Sequence, residues 1–162
     1  MFNSFKRRLP NISIFHNPSS QPSKNALLLL RNSLSSPYPT GNPNSQPLQF
    51  NLEVVESPPT TDQLQTILSY FPSKAVSPSH VLISAHPSAP SFNERPTTLS
   101  GIAQLAQENP QAIKWPIVVD WDSGKAAVGD IEGVKSILEH LRKKRDGEIK
   151  EDEVEQPKGW FT

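Results

Sequence analysis

Residues Ile14 to Leu30 read IFHNPSSQPSKNALLLL: an apolar run, a polar loop with two prolines, then a leucine-rich segment. This join narrows the fold more than any other stretch. Ile12 to Phe15 is strand-like, and Pro22 stands where a helix can begin, because its missing N–H is no loss in the first turn. In SKNALLLLRNSL, Ala26, Leu27, Leu30 and Leu34 share one helical face. The following SSPYPTGNPNSQP carries four prolines and reads as a loop. Beyond it LQFNLEV alternates, with Leu48, Phe50, Leu52 and Val54 on one side, which predicts a strand over Leu48 to Val55. Strand, helix and strand in this order make a βαβ unit, whose strands lie parallel with a right-handed crossover.

The rest of the chain completes the sheet. In SPPTTDQLQTILSYF, Thr60 and Gln63 match the Thr-x-x-Gln capping box, and Leu64, Ile67, Leu68 and Phe71 form the buried stripe. Residues 72–97 are rich in proline and serine and read as irregular, with one short turn near Val81–Ser84. TTLSGIAQLAQENP is a helix with Leu99, Ile102 and Ala106 inward, stopped by Asn109-Pro110. WPIVVDW is a buried strand, DSG a turn and KAAVG a second strand, together a β-hairpin. Asp130 caps a last helix that carries Ile131, Val134, Ile137, Leu138 and Leu141. The order β-α-β-α, insert, α, β-β-α predicts an α/β, thioredoxin-like three-layer sandwich: a mixed four-stranded sheet with helices on both faces.

At 162 residues the chain suits one domain, placed at residues 12–141. A hydrophobic content of 35% and 17 prolines assign much of the remainder to loops at 35–47 and 72–97 and to the ends. A formal net charge of zero gives no ground for a nucleic-acid partner. No apolar run approaches the roughly 20 residues of a membrane span. The chain has no cysteine, which excludes disulfides, thiolate metal sites and a cysteine redox step by this chain alone. No acidic residue precedes Glu53, whereas Lys6, Arg7, Arg8, Lys24 and Arg31 are basic. In MFNSFKRRLP, Phe2, Phe5 and Leu9 recur at i, i+3 and i+7 before Pro10. Residues 1–11 thus have the composition of a mitochondrial import signal, and equally that of a disordered basic N-terminus. Residues 142–162 form a charged tail that includes Trp160-Phe161. Its RKKR run either touches anionic partners or, more simply, complements the dipole of the preceding helix.

Three segments resemble a known family. IFHNPSS resembles the YHNPRC strand-and-loop of the ArsC-type arsenate reductases, EVVESPPTTDQLQTIL the segment where a PPT turn opens their next helix, and WPIVVDWDSGKAAVG their RP-(apolar)-VD strand and hairpin. Order and spacing agree over most of residues 12–140. More closely, the VDW triplet, the PPT helix start and the short basic N-terminus resemble a fungal family of small thioredoxin-fold mitochondrial redox proteins. The resemblance implies a thioredoxin fold, a mitochondrial location and an oxidoreductase that reduces small toxic molecules, with no cofactor. It implies that Pro116 is the cis proline facing the loop at 17–23, the alternative being an ordinary trans proline at a strand start. It also implies that Ser20 stands where the nucleophilic cysteine belongs and that Trp115 replaces an arginine before the proline.

That departure decides the chemistry. A cysteine beside a helix N-terminus and cations is activated because its pKa falls from about 8.5. A serine hydroxyl gains too little from the same field and forms no mixed disulfide. What remains is a binding or adaptor domain for a small anionic molecule, glutathione or a peptide. Its candidate residues are His16, Asn17, Ser19, Ser20, Ser23 and Lys24, with Trp115 and Pro116 opposite. The helix start offers backbone N–H groups and a dipole, although Pro22 removes one donor. The alternative is that these residues only cap the helix. A third class is acid–base or hydroxyl chemistry by a His16–Ser20 pair, which lacks a nearby acid to orient the histidine. His80 and His86 have no third ligand, so no metal site is assigned. Asp120 and Asp122 share one side of a strand end and are expected to be solvated, with Asp122 a turn residue. Trp121 is either a binding aromatic or a lid on the core.

Overall fold

The computed structural model describes residues 9–39, 44–71 and 77–148. The elements are β1 (Asn11–Phe15), α1 (Gln21–Ser35), β2 (Asn51–Val55), α2 (Thr61–Ser69), α3 (Pro78–Leu82), α4 (Leu99–Glu108), β3 (Ile117–Asp120), β4 (Lys125–Val128) and α5 (Ile131–Arg145). The sheet order is β2-β1-β3-β4. β1 pairs parallel with β2 from Asn11↔Asn51 to Phe15↔Val55, while β3 runs antiparallel to both β1 and β4. This is the thioredoxin-like arrangement that the element order predicts.

Strand alternation divides the core in two. Ile12, Ile14, Val118 and Ala127 face α1 and α5, where Ala26, Leu27, Leu30, Val134, Ile137 and Leu138 bury them. Phe15, Ile117 and Val119 face the other way, onto Leu64, Ile67, Leu82, Ile102 and Ala106 of α2, α3 and α4. The Thr60–Gln63 capping box forms with both of its bonds, and the Asp130 side chain accepts from the Glu132 N–H at the start of α5.

Two stretches differ from their pattern. Leu48 and Phe50 are buried as expected, yet β2 begins only at Asn51. The Leu48 N–H donates instead to the Ser33 C=O at the end of α1, so these residues strap the helix before the strand starts. Within 72–97, Ser77 caps the short α3, Leu82 and Ile83 are buried, and Ile83 bridges to Ile113. The proline-rich stretch therefore supplies core. The charge run from Arg142 does not end α5, which continues to Arg145 with Arg142 paired to Glu139, Asp146 and Glu148. Phe2, Phe5, Trp160 and Phe161 lie outside the described residues. Among the described residues, no helix is long and apolar enough to cross a membrane.

Candidate functional site

Beyond β1 the His16 N–H donates to the Val55 C=O at 2.7 Å, adding one contact past the strand end. The loop then closes on itself. Asn17 Oδ1 accepts from the Ser19 N–H, the Asn17 C=O accepts from the Ser20 N–H, and Ser20 Oγ caps α1 by accepting from the Ser23 N–H at 3.3 Å. Ser23 is 0% exposed and holds the join together. Its Oγ accepts from the Asn17 N–H at 3.0 Å and lies 2.7 Å from His16 Nδ1. With the Asn17 N–H already donating to it, the buried hydroxyl has only Nδ1 to receive its own proton. A hydroxyl that accepts from the Asn17 N–H and gives its own proton to Nδ1 satisfies all three groups, an arrangement that puts the His16 proton on Nε2.

His16 is buried and its partner is Ser23, not Ser20. The expected backbone cradle is also largely filled. The N–H groups of His16, Asn17, Ser19, Ser20, Ser23 and Lys24 all have partners, Pro18 and Pro22 have none to give, and Gln21 alone keeps one. Lys24 is exposed on α1 and does not line the neighbouring cleft.

That cleft, of about 500 Å³, separates Asn17, Ser19 and Ser20 from a second wall that includes His86, Lys114 and Trp115. Among the described residues no Asp or Glu lines it. Trp115 is nearly buried, with Nε1 donating to the Pro110 C=O at 2.7 Å. The Trp115–Pro116 peptide is cis, and Pro116 is buried with its C=O accepting from the Gly129 N–H. The Trp115 N–H and C=O have no partner among the described residues. Remaining donors toward the cleft are side chains: the Ser19 hydroxyl, the proton of the capping Ser20 hydroxyl, and the Lys114 ammonium, which also bonds the His80 C=O. His86 contacts Ser88 through Nδ1, which leaves Nε2. Lys114 and His86 belong to the site by geometry. Lys114 directly precedes the Trp-Pro pair, and that position is the signal that could have marked it. His80 is exposed on α3, and among the described residues no three His, Asp or Glu side chains converge as metal ligands.

The opposite end of the sheet holds Asp120. The carboxylate expected in solvent is 0% exposed, because β3 is flanked by β1 and β4. Oδ1 accepts from the Asp122 and Ser123 N–H groups, and Oδ2 is buried with no partner. Trp121 packs against the core, with Nε1 donating to Ser13 Oγ and its ring edge-on to Tyr70. Burial raises the Asp120 pKa above the ordinary carboxylate value, opposed by the Ser123 and Asp122 hydrogen bonds and helped by the charge of Asp122. The folded chain therefore holds this proton to higher pH than the unfolded chain does. Stability from Asp120 is fully present below the unfolded value and is lost as pH rises through the folded one. Urea midpoints measured across that acidic window should fall with rising pH in the parent, relative to Asp120→Asn, which removes this contribution. Parallel profiles would refute it.

Comparison with known proteins gives one family and two structures. The profile of a family described as a protein of unknown function (DUF1687) matches residues 2–129. No curated protein sequence matches the chain. Among solved structures, the chain is similar to a candidate arsenate reductase from Yersinia pestis, 26% identical over 79% of this chain and 98% of that one, TM-score 0.47. It is also similar to an arsenate reductase from Vibrio cholerae, 19% identical over 82% of this chain and 98% of that one, TM-score 0.49.

Proposed function

We propose that this chain, which belongs to the DUF1687 family, is a thioredoxin-fold relative of the redox proteins whose reactive loop holds a ligand instead of passing electrons. The observation that carries this reading is the cleft itself: Ser19 and Ser20 on one wall, Lys114 and Trp115 on the other, the Trp115 main chain without a partner among the described residues, and no carboxylate among the described lining residues. A free N–H and C=O on one residue can engage a peptide edge as a strand would. The side-chain donors suit a carboxylate. A short peptide or peptide-like anion, glutathione among them, answers both demands.

The chain has no cysteine, so reduction of small toxic molecules, the activity implied by the resemblance, would need a thiol brought by the ligand. Glutathione carries one. The proposed location is mitochondrial, with residues 1–11 as import signal; import of a reporter fused behind them tests it.

The functional test is an amide NMR titration with glutathione, phosphate and an uncharged control peptide. Saturable shifts at Ser19, Ser20 and Trp115, with the Asp120 turn unmoved, are the expected result. No saturable shift with any ligand would dismiss the cleft. A reductase assay with and without Ser20→Cys separates a thiol reductase from a binding domain. The parent should be inactive without added thiol; thiol-independent reduction by the parent would overturn the reading.

A further inference from the structure

The cleft wall that carries Lys114 is a short ladder. The Lys114 N–H donates to the Leu82 C=O and the Ser84 N–H to the Ala112 C=O, on either side of the Ile83–Ile113 bridge. The Ser84 hydroxyl adds a bond to the Gln111 C=O at 2.6 Å. Two residues past Ser84, His86 lines the same cleft as Lys114. In the register of the bridge, residue 86 falls opposite Pro110, so Lys114 lies four residues along the wall, no more than about 14 Å away.

The His86 ring is fixed from behind. The Ser88 N–H donates to Nδ1 at 3.0 Å. A main-chain N–H only donates, so Nδ1 accepts and the proton of the neutral ring is on Nε2. Ser88 Oγ lies 2.8 Å from the same nitrogen. Asn109, at the end of α4, supports Ser88 in turn: its Nδ2 donates to the Ser88 C=O at 3.2 Å and to Ser88 Oγ at 3.1 Å. A carbonyl only accepts, which puts the amide nitrogen of Asn109 on this side and leaves the Ser88 hydroxyl proton for Nδ1. A second proton on the ring would break the Ser88 N–H bond. His86 therefore offers the cleft a neutral donor, Nε2–H, which has no partner among the described residues. Lys114 commits one of its three protons to the His80 C=O and keeps two.

We propose that the ligand of this cleft is a peptide-like dicarboxylate held at both ends, one carboxylate at the Lys114 ammonium and the other at His86 Nε2–H. The inference rests on reading the cleft as a ligand site and adds what that ligand must carry. The two donors stand apart on one wall, and an extended tripeptide spans roughly 10 Å, which matches their spacing. Lys114 and His86 are the titratable groups among the described lining residues, so no charge there repels either end. Ser88 and Asn109 are positioning residues, since they decide which ring nitrogen carries the proton.

Two measurements test this. Nitrogen NMR of the imidazoles in the free protein should show His86 protonated on Nε2 and bare on Nδ1; a proton on Nδ1 would overturn the proposal. Calorimetric titration of the parent and His86→Ala then uses three probes: glutathione, cysteinylglycine, which lacks the γ-glutamyl carboxylate, and γ-glutamylcysteine methylamide, which lacks the glycine carboxylate. His86 is exposed, so the substitution leaves the core intact. It should weaken glutathione about tenfold or more, the size of one hydrogen bond to a charged group. It should weaken one truncated probe by a similar factor and leave unchanged the other, which lacks the end that His86 holds. Glutathione binding equally tight in parent and variant would overturn the role of His86 and leave the cleft's function standing. Equal losses for both truncated probes would put the effect in the loop and not at a ligand end, and would overturn the proposal as well. No glutathione binding by the parent would overturn both readings.

Discussion

Replacing Ser23 with alanine is expected to lower the unfolding free energy by about 2–3 kcal/mol, because a buried imidazole nitrogen loses its partner at a cost of about 1–3 kcal/mol and the half-buried Asn17 N–H loses its own. The groups are His16 Nδ1 and the Asn17 N–H, both held by one hydroxyl that is 0% exposed. Ser20→Ala removes only the α1 cap and should cost about 1 kcal/mol. Urea denaturation of the two variants side by side reads the difference. Equal effects would mean that Ser23 caps and nothing more. A nitrogen NMR experiment on the imidazole adds a readout independent of stability: the parent should show the proton on Nε2, and Ser23→Ala should release that preference. Asn17 is the first residue of the cleft wall and is tied to Ser23. The same variant should therefore weaken ligand shifts at Ser19 and Ser20.

The framework of the fold is legible in the sequence because it rests on local periods. Leu27 and Leu30, Leu64 and Ile67, and Ile137 and Leu138 mark their buried faces by spacing alone, and Thr60–Gln63 announces its capping box. Polar residues on those faces are harder to read. Ser23 and Ser33 extend the α1 stripe of Ala26, Leu27 and Leu30 by a turn at each end, yet a serine at a stripe position looks like a surface residue until its partner is known. Ser23 becomes central only because a histidine, seven residues earlier, stands just past the end of β1. Asp120 fails for the same reason in reverse: strand-end carboxylates are usually wet, and this one is enclosed by neighbours that are distant in sequence. The cleft adds a third case. Lys114 and His86 reach it through the Ile83–Ile113 bridge, a non-local pairing that no period encodes. The backbone cradle expected at the start of α1 misleads because the loop's own Asn and Ser side chains satisfy it, a competition typical of short polar side chains.

Leu82→Ala puts that bridge to the test. Composition places residue 82 in an irregular proline- and serine-rich segment, where a surface substitution should stay within about 0.5 kcal/mol. The structure places it at 0% exposure among Leu64, Ile67 and Ile102, so truncation should cost about 2–5 kcal/mol through lost transfer free energy and the cavity left behind. Ser91→Ala, an exposed site in the same segment, serves as the control. Leu82 also has a main-chain role, since its C=O accepts from the Lys114 N–H at 2.9 Å and the Ser84 N–H donates to the Ala112 C=O at 2.7 Å. Loosening Leu82 should therefore raise hydrogen exchange at the Lys114 amide more than at the Val118 amide, which lies within the sheet. If Leu82→Ala matches the Ser91→Ala control in urea, residues 77–97 are a surface insert and the wall bearing Lys114 and His86 has no support from the core. If the predicted gap appears, the cleft is built on the same packing that holds the sheet, and its geometry is as fixed as the fold.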